Sequence, residues 1–509
     1  MKSKLGLASI LFIGATLLLK VSGLIRDMVV AYYFGDSYVA DAYLAAFIIP
    51  NMLILFMQNG MKNALVPSYI DAVEENRGRS HLGQVFKGTL VLAFVLSLIG
   101  MAVAPFMIRI FYPDFSPEAT EIATWVTVIF FSCIAIVGMN AVLEAFFDAE
   151  SKFSLSIVSQ IIVILSSILS AFLFANKIGP YSLALGYVVG TVLSLVFKLF
   201  ITIPNKSMRI REKLDWIEVK KFYWVFLPVG LTVAVGQVNL MVGSIFAGFQ
   251  GEGAVTYINY AKNLVHMPQA IFGVTIATII FPMLSKAITN EDNDLFKRGI
   301  EKGLTTMYLV LMPAVIGMML LMPNLIELFF QRGAFGEDAT TATSQVAYYY
   351  FGSVLFFSLN NVINKGFYTL KKGHMILMIS IGSIGLNVLF NFLFAEWLGY
   401  LGIPLAASVM ALFYTGACLI VFVKLVGSLD FKAIIIDYVK ITIATAIMAA
   451  AVYGLLQVMD TIPNIIQIIT AAITGAIVFV IAVFAMRTNA FLFLWNNLTK
   501  RKKKGNRDE

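Results

Sequence analysis

Apolar residues along this chain fall in long runs separated by short polar breaks. Runs long enough to cross a bilayer, about 20 residues each, lie at 5–33, 39–70, 84–111, 119–146, 153–175, 181–203, 220–249, 253–286, 301–330, 338–368, 374–395, 402–426, 434–458 and 464–494. The pattern predicts fourteen transmembrane helices and hence an all-α polytopic membrane protein. The first run continues through Gly23 to Arg26 without a small-residue cleavage site, so it reads as a span rather than a cleavable signal peptide.

The runs also repeat. Pro105, Met107, Ile108, Ile110, Phe111 and Tyr112, followed by Phe115, Glu118, Ala119 and Thr120, return as Pro323, Leu325, Ile326, Leu328, Phe329 and Phe330, followed by Phe335, Asp338, Ala339 and Thr340. Nearly the same offset carries Ala145-Phe146-Phe147 onto Gly366-Phe367-Tyr368 and Leu183-Ala184 onto Leu405-Ala406. Six spans, an even number, make one repeat. Both halves therefore enter the membrane with the same polarity and are related by an axis along the membrane normal, an arrangement typical of transporters. The expected division is an N-lobe at 1–204, a cytoplasmic linker at 205–219 and a C-lobe at 220–427. Two helices at 428–498 follow outside the repeat, with a basic tail at 499–509.

Composition strengthens this picture. The chain is 59% hydrophobic and 13% charged, with a mean hydropathy of +0.86, against roughly half apolar and a quarter charged in a soluble domain. Its net charge of +8 sets topology. Lys and Arg crowd one set of connections: Lys2 and Lys4; Arg77, Arg79 and Lys87; Lys206, Arg209, Arg211 and Lys213; Lys286, Lys297 and Arg298; Lys371 and Lys372; and the tail from Lys500 to Lys504. The opposite connections carry almost none, Lys177 and Arg332 excepted. The excess marks the cytoplasmic side, with both termini on it. Basic loops beside anionic lipid account for the charge without a nucleic-acid partner.

Polar residues inside the spans concentrate in the first two helices of each half. The first span carries Lys20, Arg26 and Asp27. At about 1.5 Å per residue Lys20 lies roughly 22 Å beyond Leu5, and spacings of nearly two turns put the three on a loosely shared face. The second opens with Asp41 and holds Pro50, Asn51, Gln58, Asn59 and Lys62. Pro228, Gln237 and Asn239 lie in the seventh, and Asn259, Lys262, Asn263, His266 and Pro268 in the eighth. Ionisable groups at membrane depth are costly and face a wet cavity or a partner. More cations than carboxylates, with amides nearby, suit an anionic ligand, phosphate above all.

His266 reads as a packing residue, and Lys365, Lys371 and Lys372 as the cytoplasmic end of the tenth span. Cys133 and Cys418 have no thiol, His or carboxylate at ligand spacing, so neither a disulfide nor a metal site is expected. No carboxylate lies midway along the seventh, eleventh or twelfth span, where Gly243, Asn387, Asn391 and Ser408 are the most polar candidates. No cofactor is expected, and coupling to an ion or to the membrane potential stays open.

Lys20-Val-Ser-Gly-Leu-Ile-Arg26-Asp27, then Asp41-Ala42, Pro50-Asn51, Gly60 and Val66-Pro67, resemble the first two helices of the MurJ (MviN) lipid II flippases of the MOP exporter superfamily. Gln237-Val-Asn239, Tyr260-Ala261, Pro268, Phe272-Gly273-Val274 and Pro282-Met-Leu-Ser285 are similar to that family's seventh and eighth helices. Arg332-Gly-Ala-Phe335 and Gly366-Phe-Tyr368 resemble its ninth-to-tenth region. The resemblance covers nearly the whole chain.

It implies a flippase, not an enzyme, that carries an undecaprenyl-diphosphate-linked glycan, lipid II, from the inner to the outer leaflet by alternating access. The last two helices would form a groove for the lipid tail, and membrane lipids and cell-wall synthesis proteins would be its other partners. The substrate-binding residues expected on this basis are Lys20, Arg26, Asp41, Asn51, Gln237, Asn239, Lys262 and Asn263. Four positions depart from the family pattern: Lys20, Ile54 and Asn263 stand where arginine is usual, and Asn59 where glutamate is. These losses leave another undecaprenyl-linked oligosaccharide open as cargo. A multidrug antiporter would be expected to have twelve helices and a carboxylate-lined cavity. A membrane glycan polymerase would need catalytic carboxylates on a sizeable outer loop, whereas Glu118 and Asp338 match across the repeat as helix starts.

Overall fold

The computed structural model describes residues 2–204, 207–209 and 211–494. Asn205 and Lys206 of the linker, the end of the last span and the basic tail lie outside them. So do the side chains at 2–17, 232, 240, 271, 274–275, 277–279 and 281–282, Val274 and Pro282 among them. Every regular element among the described residues is helical, as the apolar runs require. In hydrocarbon a backbone group has no water to bond, and a helix satisfies N–H and C=O within one segment.

The helices, in chain order, are α1 (Lys2–Phe34), α2 (Tyr38–Glu74), α3 (Gly78–Phe111), α4 (Pro117–Ser132), α5 (Ile134–Ala149), α6 (Phe153–Ile178), α7 (Tyr181–Thr202), α8 (Trp216–Gly248) and α9 (Ala254–Val265), followed by α10 (Met267–Thr289), α11 (Asn293–Leu320), α12 (Met322–Phe329), α13 (Glu337–Tyr349), α14 (Phe351–Thr369), α15 (Gly373–Leu398), α16 (Gly402–Val426), α17 (Phe431–Val458) and α18 (Asn464–Ala485). Among the described residues, nine stretches are long and apolar enough to cross a membrane, or eleven when α4 with α5 and α13 with α14 each count as one. One of the nine, Gly373–Val426, holds both α15 and α16.

The α4–α5 pair bends by 44° and the α13–α14 pair by 42°. Glu118 lies in the first turn of α4, whose start is capped by Ser116 accepting from Ala119 N at 3.1 Å with Pro117 at the first helical position. Glu337 and Asp338 open α13. Carboxylates at these helix starts complement the positive end of the dipole.

Contacts divide the chain into two units, Met1–Asn259 with Arg332–Gly336, and Tyr260–Gln331 with Glu337–Glu509. The first is built around α2, which packs on α5, α8 and α4. Its core joins Met57, Met61, Leu65, Leu82, Phe86, Phe146, Phe147, Phe222 and Phe226. α2 and α8 interlock through two glycines: a Cβ on Gly60 would sit 2.8 Å from the Phe226 ring, and one on Gly230 would strike Phe56. The sequence division by repeat assigns α8 to the C-lobe; by packing it belongs with α2.

Beyond α7 the chain is strapped onto the start of α3. Gln84 donates to Lys213 O at 2.9 Å and accepts from Asp215 N at 2.8 Å, and Arg209 N donates to Arg79 O at 3.0 Å. The Ser80 hydroxyl and the Arg209 guanidinium hold the half-buried Glu212 carboxyl below the usual carboxylate range. At the other end of α1, Gly35 and Gly333 both have left-handed backbones, φ 60° and 61°, and Ala334 N donates to Tyr32 O at 2.9 Å. A Cβ on Gly35 would run into the Ala334 carbonyl. Gly35→Ala is therefore expected to cost about 1–2 kcal/mol from the left-handed backbone alone, with the clash on top, read as a lower thermal unfolding midpoint of the purified protein.

The second unit centres on α11, which packs on α10, α14 and α17, while α15 with α16 and α17 with α18 form hairpins. Its core contains Ile280, Leu284, Phe296, Ile300, Leu304, Phe367 and Phe422. In both units large apolar side chains cover the outer faces of the helices: Phe94, Phe106, Phe172 and Phe200 in the first, Phe392, Trp397, Ile481 and Phe484 in the second. Apolar surface this extensive suits a lipid solvent and not water.

Candidate functional site

A cavity of about 180 Å³ lies within the first unit, lined by α1, α2, α5, α6 and α7. Each helix contributes polar side chains to an otherwise apolar wall: Arg26 from α1; Asn51 and Gln58 from α2; Asn140 and Glu144 from α5; Gln160 from α6; and Tyr187, Thr191 and Ser194 from α7. Arg26 is 23% exposed and donates through Nε and Nη2 to Asp27 Oδ1 at 3.2 and 2.8 Å, with Asp27 itself buried. Its guanidinium lies 5.4 Å from the centre of the Phe47 ring. Ile54, where the family resemblance would place an arginine, is buried and lines the same cavity.

The far end of the cavity holds charges that the hydropathy pattern does not single out. Asn140, Glu144 and Asp148 recur every fourth residue along α5, one stripe of a helix, and face Ser194 and Lys198, a turn apart on α7. Lys198 Nζ donates to Glu144 Oε1 at 2.8 Å, to Asn140 Oδ1 at 2.7 Å and to Ser194 Oγ at 3.2 Å. The two charged side chains are 0% and 2% exposed. Gln160 Nε2 donates to the other Glu144 oxygen at 2.9 Å. One turn further, Asp148 pairs with Lys62 at 3.2 Å and accepts from Ser156 at 3.0 Å.

Of the residues expected to bind substrate, Arg26 and Asn51 share this cavity. Lys20 is exposed on α1 and lies outside its lining. Asp41 is engaged elsewhere. Gly253 N donates to its Oδ2 at 2.6 Å, and Thr256 N and Oγ1 donate to its Oδ1 at 2.8 and 2.6 Å. This carboxylate, 3% exposed, thus ties the start of α2 to the start of α9. Gln237 and Asn239 are half-buried on α8 and do not line the cavity. Lys262 is half-buried and Asn263 exposed on α9, both in the second unit. Adjacent residues on a helix point about 100° apart, which separates these two. His266, at the break between α9 and α10, pairs through Nδ1 with Gln269 Oε1 at 2.8 Å. Among the described residues no group of three His, Cys, Asp or Glu could hold a metal ion.

The second unit contains an apolar groove of about 520 Å³ lined by α11, α12, α17 and α18. Pro313, Gly317, Ala472 and Gly475 keep its wall low between Leu309, Met448, Val452 and Phe479. It offers a hydrocarbon chain surface and almost no hydrogen-bonding group.

Comparison with known proteins agrees with this architecture. The family model described as lipid II flippase MurJ matches residues 30–495. The chain is 28% identical over 419 residues to the probable lipid II flippase MurJ of Buchnera aphidicola subsp. Baizongia pistaciae, covering 80% of each chain. It is 27% identical over 419 residues, again 80% of each, to the lipid II flippase MurJ of Burkholderia cenocepacia. Among solved structures, a lipid II flippase MurJ in an inward closed conformation superposes with a TM-score of 0.80 at 24% identity, over 94% of this chain and 99% of that one. An inward-facing multidrug resistance MATE transporter of the MOP superfamily gives 0.70 at 13% identity, over 80% and 94%. These two share its fold. A match across nearly the full length, on helices long and apolar enough to span a membrane, makes the chain a multi-pass membrane protein of the lipid II flippase MurJ family.

Proposed function

We propose that this chain moves lipid II, an undecaprenyl-diphosphate-linked glycan, from the inner to the outer leaflet of a bacterial cytoplasmic membrane by alternating access, with both termini in the cytoplasm. The observation that carries this reading is the first-unit cavity, where the Arg26 guanidinium, able to form two parallel bonds to phosphate, lies among amides and hydroxyls suited to a sugar. The chemistry is binding and release, with no bond made or broken. Lys20 is a further proposed cation for the diphosphate, Gln237 and Asn239 are further proposed amides for the headgroup, and Lys262 and Asn263, in the second unit, are proposed cargo contacts of that unit.

The groove of α11, α12, α17 and α18 takes the lipid tail. Burial of hydrocarbon is worth about 0.8 kcal/mol per methylene, so filling the groove excludes cargo in proportion. Ala472→Trp, which displaces two or three methylenes, is expected to weaken lipid II binding by more than about tenfold while the protein still reaches the membrane. Binding to the purified variant in nanodiscs checks it.

Ile54 in the cavity wall favours a second reading, a flippase for another undecaprenyl-linked oligosaccharide, because the phosphate end there has one cation fewer than the family pattern. Complementation separates the two. In a host depleted of its lipid II flippase, expression of this chain should restore growth and clear lipid II from the inner leaflet. Failure with the protein present in the membrane would assign it the other glycan.

A further inference from the structure

The Glu144–Lys198 pair lies wholly inside the first unit, yet only Glu144 reaches the cavity wall; Lys198 stands behind it. An ion pair this buried is a weak fastener, since apolar residues of similar volume in its place are often neutral or stabilising. Its placement points to another use. The cavity is electrically divided: Arg26 and the rings of Phe47 and Tyr187 mark one end, and Glu144 with Gln160, Asn140 and Ser194 the other. Tyr187 and Ser194 are separated by about 10 Å of α7.

A phosphate is drawn to the first end and repelled by the carboxylate at the second. Sugar hydroxyl and amide N–H groups, which are donors, find the reverse. A carboxylate has about four lone-pair positions. Lys198 and Gln160 occupy one on each oxygen, which leaves acceptor capacity for a ligand. Lys198 and Gln160 hold the orientation of Glu144, and Asn140 and Ser194 hold Lys198.

Resting on the flippase reading above, we propose that Glu144 is a specificity residue: it accepts hydrogen bonds from the hydroxyl and amide donors of the cargo's phosphate-linked sugar, while Arg26 takes the phosphate, so the cavity selects a glycan-bearing diphosphate lipid over the bare one.

The test compares binding of undecaprenyl diphosphate and of lipid II to the full-length protein in nanodiscs. The informative variant exchanges the charges, Glu144→Lys with Lys198→Glu, which keeps the buried pair but puts the cation at the cavity wall. Expected is wild-type preference for the glycan lipid, and an exchanged protein that unfolds at a similar temperature and binds the bare diphosphate at least as tightly. Its preference for the glycan should fall by at least about tenfold, the scale of one charge-assisted hydrogen bond.

An exchanged protein with the wild-type preference would reduce the pair to a structural role and overturn the inference, as would a wild type that binds both lipids equally. If the exchange does not fold, the apolar pair Glu144→Leu with Lys198→Met is read by the same ratio: a fall supports the inference and an unchanged preference overturns it. Wild-type protein that binds neither lipid would overturn the flippase reading together with this one, whereas retained preference in both variants overturns this one alone.

Discussion

Arg26→Ala is expected to abolish rescue of a lipid II flippase-depleted strain while the protein remains in the membrane. Arg26 is the cation of the first-unit cavity, paired with Asp27 at 2.8 Å and only 23% exposed. Removing it takes away the group suited to a phosphate and deprives the buried Asp27 carboxylate of its Arg26 partner. A charge-assisted hydrogen bond contributes about 1.5–3 kcal/mol, and a guanidinium makes two to one phosphate, so the loss spans several orders of magnitude in affinity. Arg26→Lys separates charge from shape: it should restore part of the activity, because the charge returns without the fork. Lys372→Ala, at an exposed position beyond α14, should leave growth unchanged. Growth on depletion and the lipid II pool of the inner leaflet are the two readouts. Full activity of Arg26→Ala would remove the diphosphate from this cavity.

Much of the fold is legible in the sequence because hydrocarbon imposes a strong rule. A run of apolar residues must be helical, and its ends are marked by polar punctuation such as Ser116-Pro117-Glu118. The bends at Cys133 and Tyr350 are not legible, since neither break has a proline or glycine at its centre to announce it. The site is legible only where one helix carries the signal. Arg26 and Asn51 stand out as polar residues within apolar spans, and the structure brings both to one cavity.

Asp41 stands out equally, but its partners Gly253 and Thr256 lie more than two hundred residues away, and only packing reveals that its carboxylate is engaged. Glu144 and Lys198 escape a reading centred on the first two helices of each half. The trace they leave is a pair of polar stripes at four-residue spacing, Asn140-Glu144-Asp148 on α5 and Ser194-Lys198-Thr202 on α7, which complement one another once the helices are set side by side.

That complementarity carries the other large effect. Lys198→Met is expected to cost about 3–5 kcal/mol of stability, as is usual when one member of a buried pair is left without its partner, out of a total that is about 5–15 kcal/mol for a folded protein. In the variant Glu144 keeps Gln160 as a donor at 2.9 Å, but a neutral amide does not compensate a carboxylate that is only 2% exposed. The surroundings otherwise survive the change, because Ser194 Oγ still donates to Asn140 Oδ1 at 3.0 Å and Asn140 still donates to Thr191 O. The damage is therefore confined to the stranded charge, and a second substitution should remove it. Lys198→Met with Glu144→Leu is expected to recover most of the thermal unfolding midpoint lost in Lys198→Met alone. A double variant as unstable as the single one would mean that Lys198 acts through its packing against α5 and not through the carboxylate.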